Sequence, residues 1–232
     1  MKLYKSALAA VGLLATSLVA VQPAHAVIEQ STATCSLVPP SRISISQTVN
    51  RYHATLASNC PASVYTAVWK STPMATTYPE GRLEFLYGNH MAGFNVIGTT
   101  PPIGTITWKP AGGATNSSGV KVADLATATS VSKCASAVAL SGGRKGSRTA
   151  LLTTVSYWQP FPAARYVRWA NKQVLIQYQD IGTSTWKGLA YVTTNSVGQV
   201  TYNYYPNRTR RYRAYVPGTS SVWNIFSPVI SR

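Results

Sequence analysis

Three histidines, three cysteines and five carboxylates are the side chains of this 232-residue chain from which catalytic or metal chemistry could be built. A serine triad needs a histidine held by a carboxylate beside a nucleophile. His53 falls in the alternating run Arg51-Tyr52-His53, and His90 in the loop-like Gly88-Asn89-His90-Met91. No G-x-S-x-G elbow accompanies either. Glu80 and Glu84 are four apart in a pattern read as extended, with no division into acid and base. Five carboxylates spread over the whole chain argue against a calcium cage, which takes roughly six to eight oxygen ligands, usually several from carboxylates. Zinc needs clustered Cys and His, and these are scattered. The sequence therefore assigns no catalytic residue, no metal ligand and no cofactor.

The arginines offer different chemistry. Arg208, Arg210, Arg211 and Arg213 are interleaved with Tyr202, Tyr204, Tyr205, Tyr212 and Tyr215. Side chains alternate across a strand. With Tyr212, Ala214 and Val216 inward, Arg211, Arg213 and Tyr215 share the outer face. Guanidinium forks grip phosphate or carboxylate, and aromatic faces stack on bases or sugars. A second basic stretch joins Arg165, Arg168 and Lys172 to Tyr166 and Trp169. Trp108, Trp158, Trp169 and Trp223 would serve a sugar-binding module only if exposed, and most fit core or edge positions.

These residues are unevenly distributed. The first 26 residues read as a secretory signal: Lys2 and Lys5, an apolar run from Leu8 to Val21, and the cleavage pattern Ala24-His25-Ala26. Cleavage would leave a secreted, extracellular chain with net charge +14 and no further membrane-spanning segment. Residues 27–132 hold six basic and four acidic residues, whereas 133–232 hold thirteen basic residues and only Asp180. That asymmetry points to two units with different jobs. Export permits disulfides. Cys35–Cys60 closes the shortest loop in the less charged half and is the expected bridge. Cys134 is then free and buried, or paired with another chain.

The elements that must position these residues are short alternating runs broken by Gly, Pro, Asn and Ser, the pattern of an all-β protein. Arg42–Ser46, Tyr52–Leu56, Val64–Val68 and Leu83–Tyr87 alternate in the first half. Thr149–Tyr157, Lys172–Tyr178, Trp186–Thr193, Val200–Tyr204, Arg211–Val216 and Ser221–Ile230 follow in the second. Asn195-Ser196-Val197-Gly198 reads as a hairpin turn. About seven strands per hundred residues is the density of an immunoglobulin-like sandwich. The expected organisation is a signal peptide (1–26), an extended leader (27–38), an N-terminal sandwich (39–128) and a C-terminal immunoglobulin-like sandwich (129–232). The join falls near Thr127–Ser132.

The second half carries a resemblance. Thr194-Asn195-Ser196-x-Gly198, Arg211-Tyr212-Arg213-Ala214 and Thr219-Ser220-Ser221-Val222-Trp223 are similar to the terminal immunoglobulin-like domain of actinobacterial secreted proteins. Gln177-Tyr178, Thr185-Trp186 and Ala139-Leu140-Ser141-x-x-Arg144-Lys145-Gly146 fit the same pattern over roughly 133–232. The overall plan also resembles the adaptor subunit of secreted umbrella toxin particles, which implies protein partners within such a particle. The function expected is non-catalytic docking onto other extracellular proteins. The alternative is binding to an acidic envelope polymer, such as teichoic acid or extracellular DNA. The residues expected to meet a partner are Arg208, Arg210, Arg211, Arg213 and Tyr215. Val27 and Ile28 join them if the leader adds as a strand to a partner's sheet.

Overall fold

The computed structural model describes residues 33–232. The signal peptide and the start of the leader, Val27 and Ile28 included, lie outside the described residues. The described chain forms twenty strands and one 3-10 turn, Pro79–Gly81. No helix among the described residues is long and apolar enough to cross a membrane.

Alternating polarity places the strands in pairs of facing sheets. In the first sandwich, β2 (Leu37–Val38), β4 (Val49–Leu56) and β7 (Met91–Ile97) make one antiparallel sheet. The other runs in the order β3 (Arg42–Ile45), β11 (Ala128–Cys134), β8 (Gly104–Pro110), β5 (Ala67–Thr72) and β6 (Arg82–Phe85). Within it β3 pairs parallel to β11. A small flanking sheet joins β1 (Ala33–Cys35), β10 (Lys121–Leu125) and β9 (Ala114–Thr115). Every second residue points inward, so Trp69, Phe85, Phe94 and Trp108 pack with Ile43, Ile45 and Ile106 in one core. Two buried indoles find partners for their N–H groups. Trp69 Nε1 donates to Ala126 O at 2.9 Å and Trp108 Nε1 to Ser130 Oγ at 3.0 Å, as buried polar groups require. Cys35 and Cys60 are bridged, as the loop argument expects.

The second sandwich is also immunoglobulin-like in build. One sheet holds β12 (Ser136–Lys145), β13 (Arg148–Gln159), β14 (Arg165–Arg168) and β17 (Gln199–Tyr204), with β14 and β17 both pairing with β13. The other holds β15 (Gln173–Asp180), β16 (Lys187–Thr193), β18 (Arg210–Val216), β19 (Ile225–Phe226) and β20 (Ile230–Ser231). Leu151, Val155, Val174, Ile176, Tyr212, Ala214 and Val216 form its core.

Three expectations need correction. The stretch read as a join, 127–132, lies largely in β11, whose pairing with β8 and β3 makes it a strand of the first sandwich. Ala135 alone separates β11 from β12. The described part of the leader is extended but not available to a partner, because 33–38 is consumed by the chain's own fold. There β1 pairs with β10 and β2 with β4, and Cys35 is fully buried. Asn195–Gly198 is a turn, closed by Gly198 N–H donating to Asn195 O at 2.9 Å. It is not a hairpin, since β16 and β17 belong to different sheets. The polar turn signal is the same for a hairpin and a crossover, and only long-range pairing decides between them.

The two sandwiches interlock at the join. Trp158, on β13, is buried in the core of the first sandwich, and its Nε1 donates to Gly98 O at 2.9 Å. Val222 is buried in the same core, and Cys134 pairs with it in a parallel bridge. Trp223 Nε1 donates to Ile43 O at 2.9 Å. The Arg42 guanidinium and the Lys133 ammonium lie 4.2 and 5.0 Å from the centre of the Trp223 ring. Residues 221–224, expected in a closing strand, act instead as a clasp across the join.

Candidate interaction surface

Strand β18 has the expected orientation. Tyr212, Ala214 and Val216 are fully buried, Arg211 is exposed, and Arg213 and Tyr215 are half-buried on the outer face. Cross-strand register extends this face into an aromatic row. Tyr215 lies opposite Leu175 on one side and Phe226 on the other, and Leu175 lies opposite Tyr191. Tyr191 and Phe226 are exposed, and the Tyr215 and Phe226 rings are 4.7 Å apart. Arg213 sits one step along the row. Its Nε donates to Gln177 Oε1 at 2.7 Å, and its guanidinium lies 4.2 Å from both the Trp186 and Phe226 ring centres. Partial burial lowers its pKa, and the two ring faces hold the charge where water is scarce.

Arg210 does not belong to that surface. It is buried, with Nε donating to Asp180 Oδ1 at 2.8 Å and the guanidinium 4.5 Å from the Tyr178 ring centre. A second nitrogen bonds the Tyr204 hydroxyl. Burial works against the charge, but Asp180 and Tyr204 outweigh it and raise the pKa above its ordinary value. The sequence alone groups Arg210 with Arg208, Arg211 and Arg213 as one tyrosine-interleaved cluster facing a partner. In space Arg210 faces inward, as the first residue of a strand whose even-numbered side chains are core. Arg208 stays exposed, with one nitrogen 3.3 Å from Asp180.

Sequence reasoning missed where the remaining charge collects. Strand β12 leaves the join at Ser136 and ends at Lys145, so the β12–β13 turn lies at the end remote from the first sandwich. Arg144, Lys145 and Arg148 sit there around a cavity of about 240 Å³ that also touches Gly143 and Ala150. Arg144 reaches Pro206 O at 3.3 Å, in the loop that carries Arg208. Arg232 donates through Nε to Gly142 O at 2.6 Å, and Arg211 lies opposite Ser231. Lys187 starts β16 at the same end, 3.8 Å from Asp180. One pole of the second sandwich thus gathers Arg144, Lys145, Arg148, Lys187, Arg208, Arg211 and Arg232. The single acidic side chain of that half, Asp180, is shared among Lys187, Arg208 and Arg210. The β12–β13 hairpin was the one local signal, since it sets Lys145 opposite Arg148; the rest of the pole is joined by distant pairings such as Thr149 with Tyr204 and Arg211 with Ser231. The other basic stretch is elsewhere. Arg165 and Arg168 pair with the end of β13 nearest the join, and the Lys172 ammonium lies 4.3 Å from the Trp169 ring centre.

The groups weighed for catalysis remain apart. Glu80 lies in the 3-10 turn, not in an extended strand, and bonds Lys70, which holds its carboxyl below the usual range. Glu84 pairs with Arg82 at 2.7 Å. Among the described residues no three His, Cys, Asp or Glu converge as a metal site. Cys134 is free and buried, and burial raises its thiol pKa. Trp108 and Trp158 are core residues and cannot stack on a sugar.

No protein-family model matches this sequence, and no curated protein matches it. Among solved structures, the human OSCAR ligand-binding domain is 12% identical, with 86% of this chain and 98% of that one covered and a TM-score of 0.27. The D0-D1 domain of Intimin is 13% identical over 85% and 96%, with a TM-score of 0.28. The calcium binding domain CBD12 of CALX1.1 is 11% identical over 78% and 80%, with a TM-score of 0.31. The assignment of two immunoglobulin-like sandwiches rests on the strand pairing and burial described above.

Proposed function

We propose that this chain is a secreted, non-catalytic interaction protein that docks an acidic protein partner through the basic pole of its second sandwich. The carrying observation is the pole itself: seven exposed cations gathered at one end of the sandwich, of which Asp180 reaches Lys187 and Arg208. The adjoining row of Tyr191, Leu175, Tyr215 and Phe226 supplies apolar contact area beside the charge. Aromatic and arginine side chains of this kind carry most of the energy in protein interfaces. Secretion is part of the proposal and rests on the pattern of residues 1–26 together with the disulfide. The finer version, an adaptor between subunits of a secreted toxin particle, rests on sequence resemblance alone.

The test is affinity capture from native culture medium, with tagged wild-type chain and a variant carrying Arg144→Glu, Lys145→Glu and Arg148→Glu. An acidic protein recovered in fixed stoichiometry with wild type and lost with the variant supports the reading. Capture should weaken as salt rises, because exposed charges are screened over about 8 Å at physiological ionic strength. A partner held equally by both forms, or held without salt dependence, would overturn it. The density of arginines around the β12–β13 turn favours a second reading, an acidic polymer. A labelled single-stranded DNA oligonucleotide bound by wild type, with no protein captured, would replace the first reading with this one.

A further inference from the structure

The first sandwich carries an open edge with the features of a strand acceptor. In its three-stranded sheet β7 is an outer strand, paired only with β4. Leu56 N–H donates to His90 O at 3.0 Å and Gly98 N–H to Thr48 O at 2.8 Å. These bonds fix the even-numbered residues of β7 as those whose backbone faces β4, because bonded and non-bonded pairs alternate in an antiparallel ladder. Met91, Gly93, Asn95 and Ile97 therefore turn their N–H and C=O groups outward. Among the described residues one bond covers this edge, from Thr77 N–H to Asn95 O at 3.1 Å. Met91 and Gly93 keep theirs. The strand Met91–Ile97 carries no charge and no proline, the devices by which exposed edges normally discourage pairing.

Two cavities flank Gly93. One, of about 240 Å³, opens between β6 and β7 beside Leu86 and Ala92, with Glu84 at its rim held by Arg82. The other, of about 270 Å³, lies on the outer face and is lined by Arg51 and His53. Tyr78 borders both. Register places His53 opposite Gly93 and Arg51 opposite Asn95. The His53 ring leans over the bare Gly93, with Nε2 3.6 Å from where a Cβ would stand. A glycine in a strand often marks the close approach of another backbone.

We infer that the Met91–Gly93 edge accepts an extended peptide segment of a partner protein, with an apolar side chain turned inward and an acidic side chain turned outward. Met91 and Gly93 supply the main-chain bonds. The inward side chain enters the cavity beside Leu86 and Ala92. The outward carboxylate crosses Gly93 to His53 and Arg51. Main-chain pairing gives affinity and the alternate pockets give selectivity, as in other strand additions. This acceptor is independent of the basic pole, which lies on the other sandwich.

The probe is a capped pentapeptide alternating valine and glutamate. Titration into the isotopically labelled chain is expected to shift the Met91 and Gly93 amides. Gly93→Pro removes an outward donor without touching the ladder to β4, and should weaken binding about tenfold, the worth of one good hydrogen bond. Arg51→Glu alters only an exposed side chain and should weaken binding similarly. The same variant should then prefer a valine–lysine pentapeptide. That swap keeps the test decisive should Gly93→Pro fail to fold. Unmoved Met91 and Gly93 amides, or equal binding of both peptides to wild type and Arg51→Glu, would overturn the inference.

Discussion

The two sandwiches use the same architecture for opposite ends. The first turns its tryptophans and phenylalanines inward, leaving Tyr65, Tyr78 and Tyr87 at the surface: Trp69, Phe85, Phe94 and Trp108 fill its core, a disulfide ties its entry strand, and its charges nearly balance. The second keeps a smaller core and places Tyr191, Tyr215 and Phe226 on a sheet's outer face, on the sandwich whose far pole gathers seven cations against the single side-chain carboxylate of Asp180. The contrast separates what holds the molecule together from what it can offer a partner. It also shows that composition alone is silent on this point, since each half is rich in aromatic residues. Strand phase decides which of them are core.

Substitutions can break or sharpen this contrast. The largest effect should come from Trp158→Ala, which empties a site in the first core filled from the second sandwich. Loss of about 3–5 kcal/mol is expected for a buried tryptophan, read from urea denaturation. Trp186→Ala, on the outer face, should change stability far less. Comparable losses would mean that the second sandwich depends on its surface aromatics for folding. Arg210→Ala should cost about 1.5–3 kcal/mol, because Asp180 and the Tyr204 hydroxyl lose a buried charged partner while Arg208 and Lys187 still reach the carboxylate. Arg211→Ala should stay within about 0.5 kcal/mol, as exposed positions do. Their thermal midpoints tell the two arginines apart. Cys35→Ser with Cys60→Ser should lower stability by about 3 kcal/mol, the chain-entropy value for a separation of 25 residues. That loss should appear in the transition of the first sandwich if the two unfold separately.

The smallest effect concerns pH. Burial raises the pKa of the Cys134 thiol and of the Tyr212 phenol. Both groups are neutral when protonated, so the fold favours the protonated form. Their contribution is complete below the unfolded values, about 8.5 for Cys and 10 for Tyr. It is lost as pH rises through the folded values. Urea midpoints should therefore fall between pH 8 and pH 11, and Cys134→Ala should remove the earlier part of that fall. In the native state Cys134 should resist thiol reagents at pH 8 and react once the chain is unfolded.

Much of the fold was legible because β-structure writes itself locally. Tyr212, Ala214 and Val216 alternate with Arg211, Arg213 and Tyr215, and their burial follows that phase. The bridge Cys35–Cys60 was legible from loop length, given the export pattern read in residues 1–26. What was not legible depended on pairing between distant segments. Nothing local to 128–134 says that it pairs with β8 and β3, because an inward Val131 or Cys134 suits either sandwich. Nothing local to Arg210 reveals Asp180, thirty residues away. The basic pole was hidden for the same reason: Arg144 and Arg232 meet only through the register of β12, β18 and β20. The open edge at Gly93 could not be read either, since an edge is defined by which strand fails to arrive.

The join has a mechanical consequence. With Ala135 as the whole connection, and Trp158, Val222 and Trp223 seated across it, there is no tether whose length can vary. The open edge at Gly93 and the basic pole are therefore carried at a set separation and a set angle. The chain behaves as a strut: a tug on one sandwich reaches the other without slack. Two bodies gripped at its ends would be spaced by its dimensions, not by the statistics of a flexible cord.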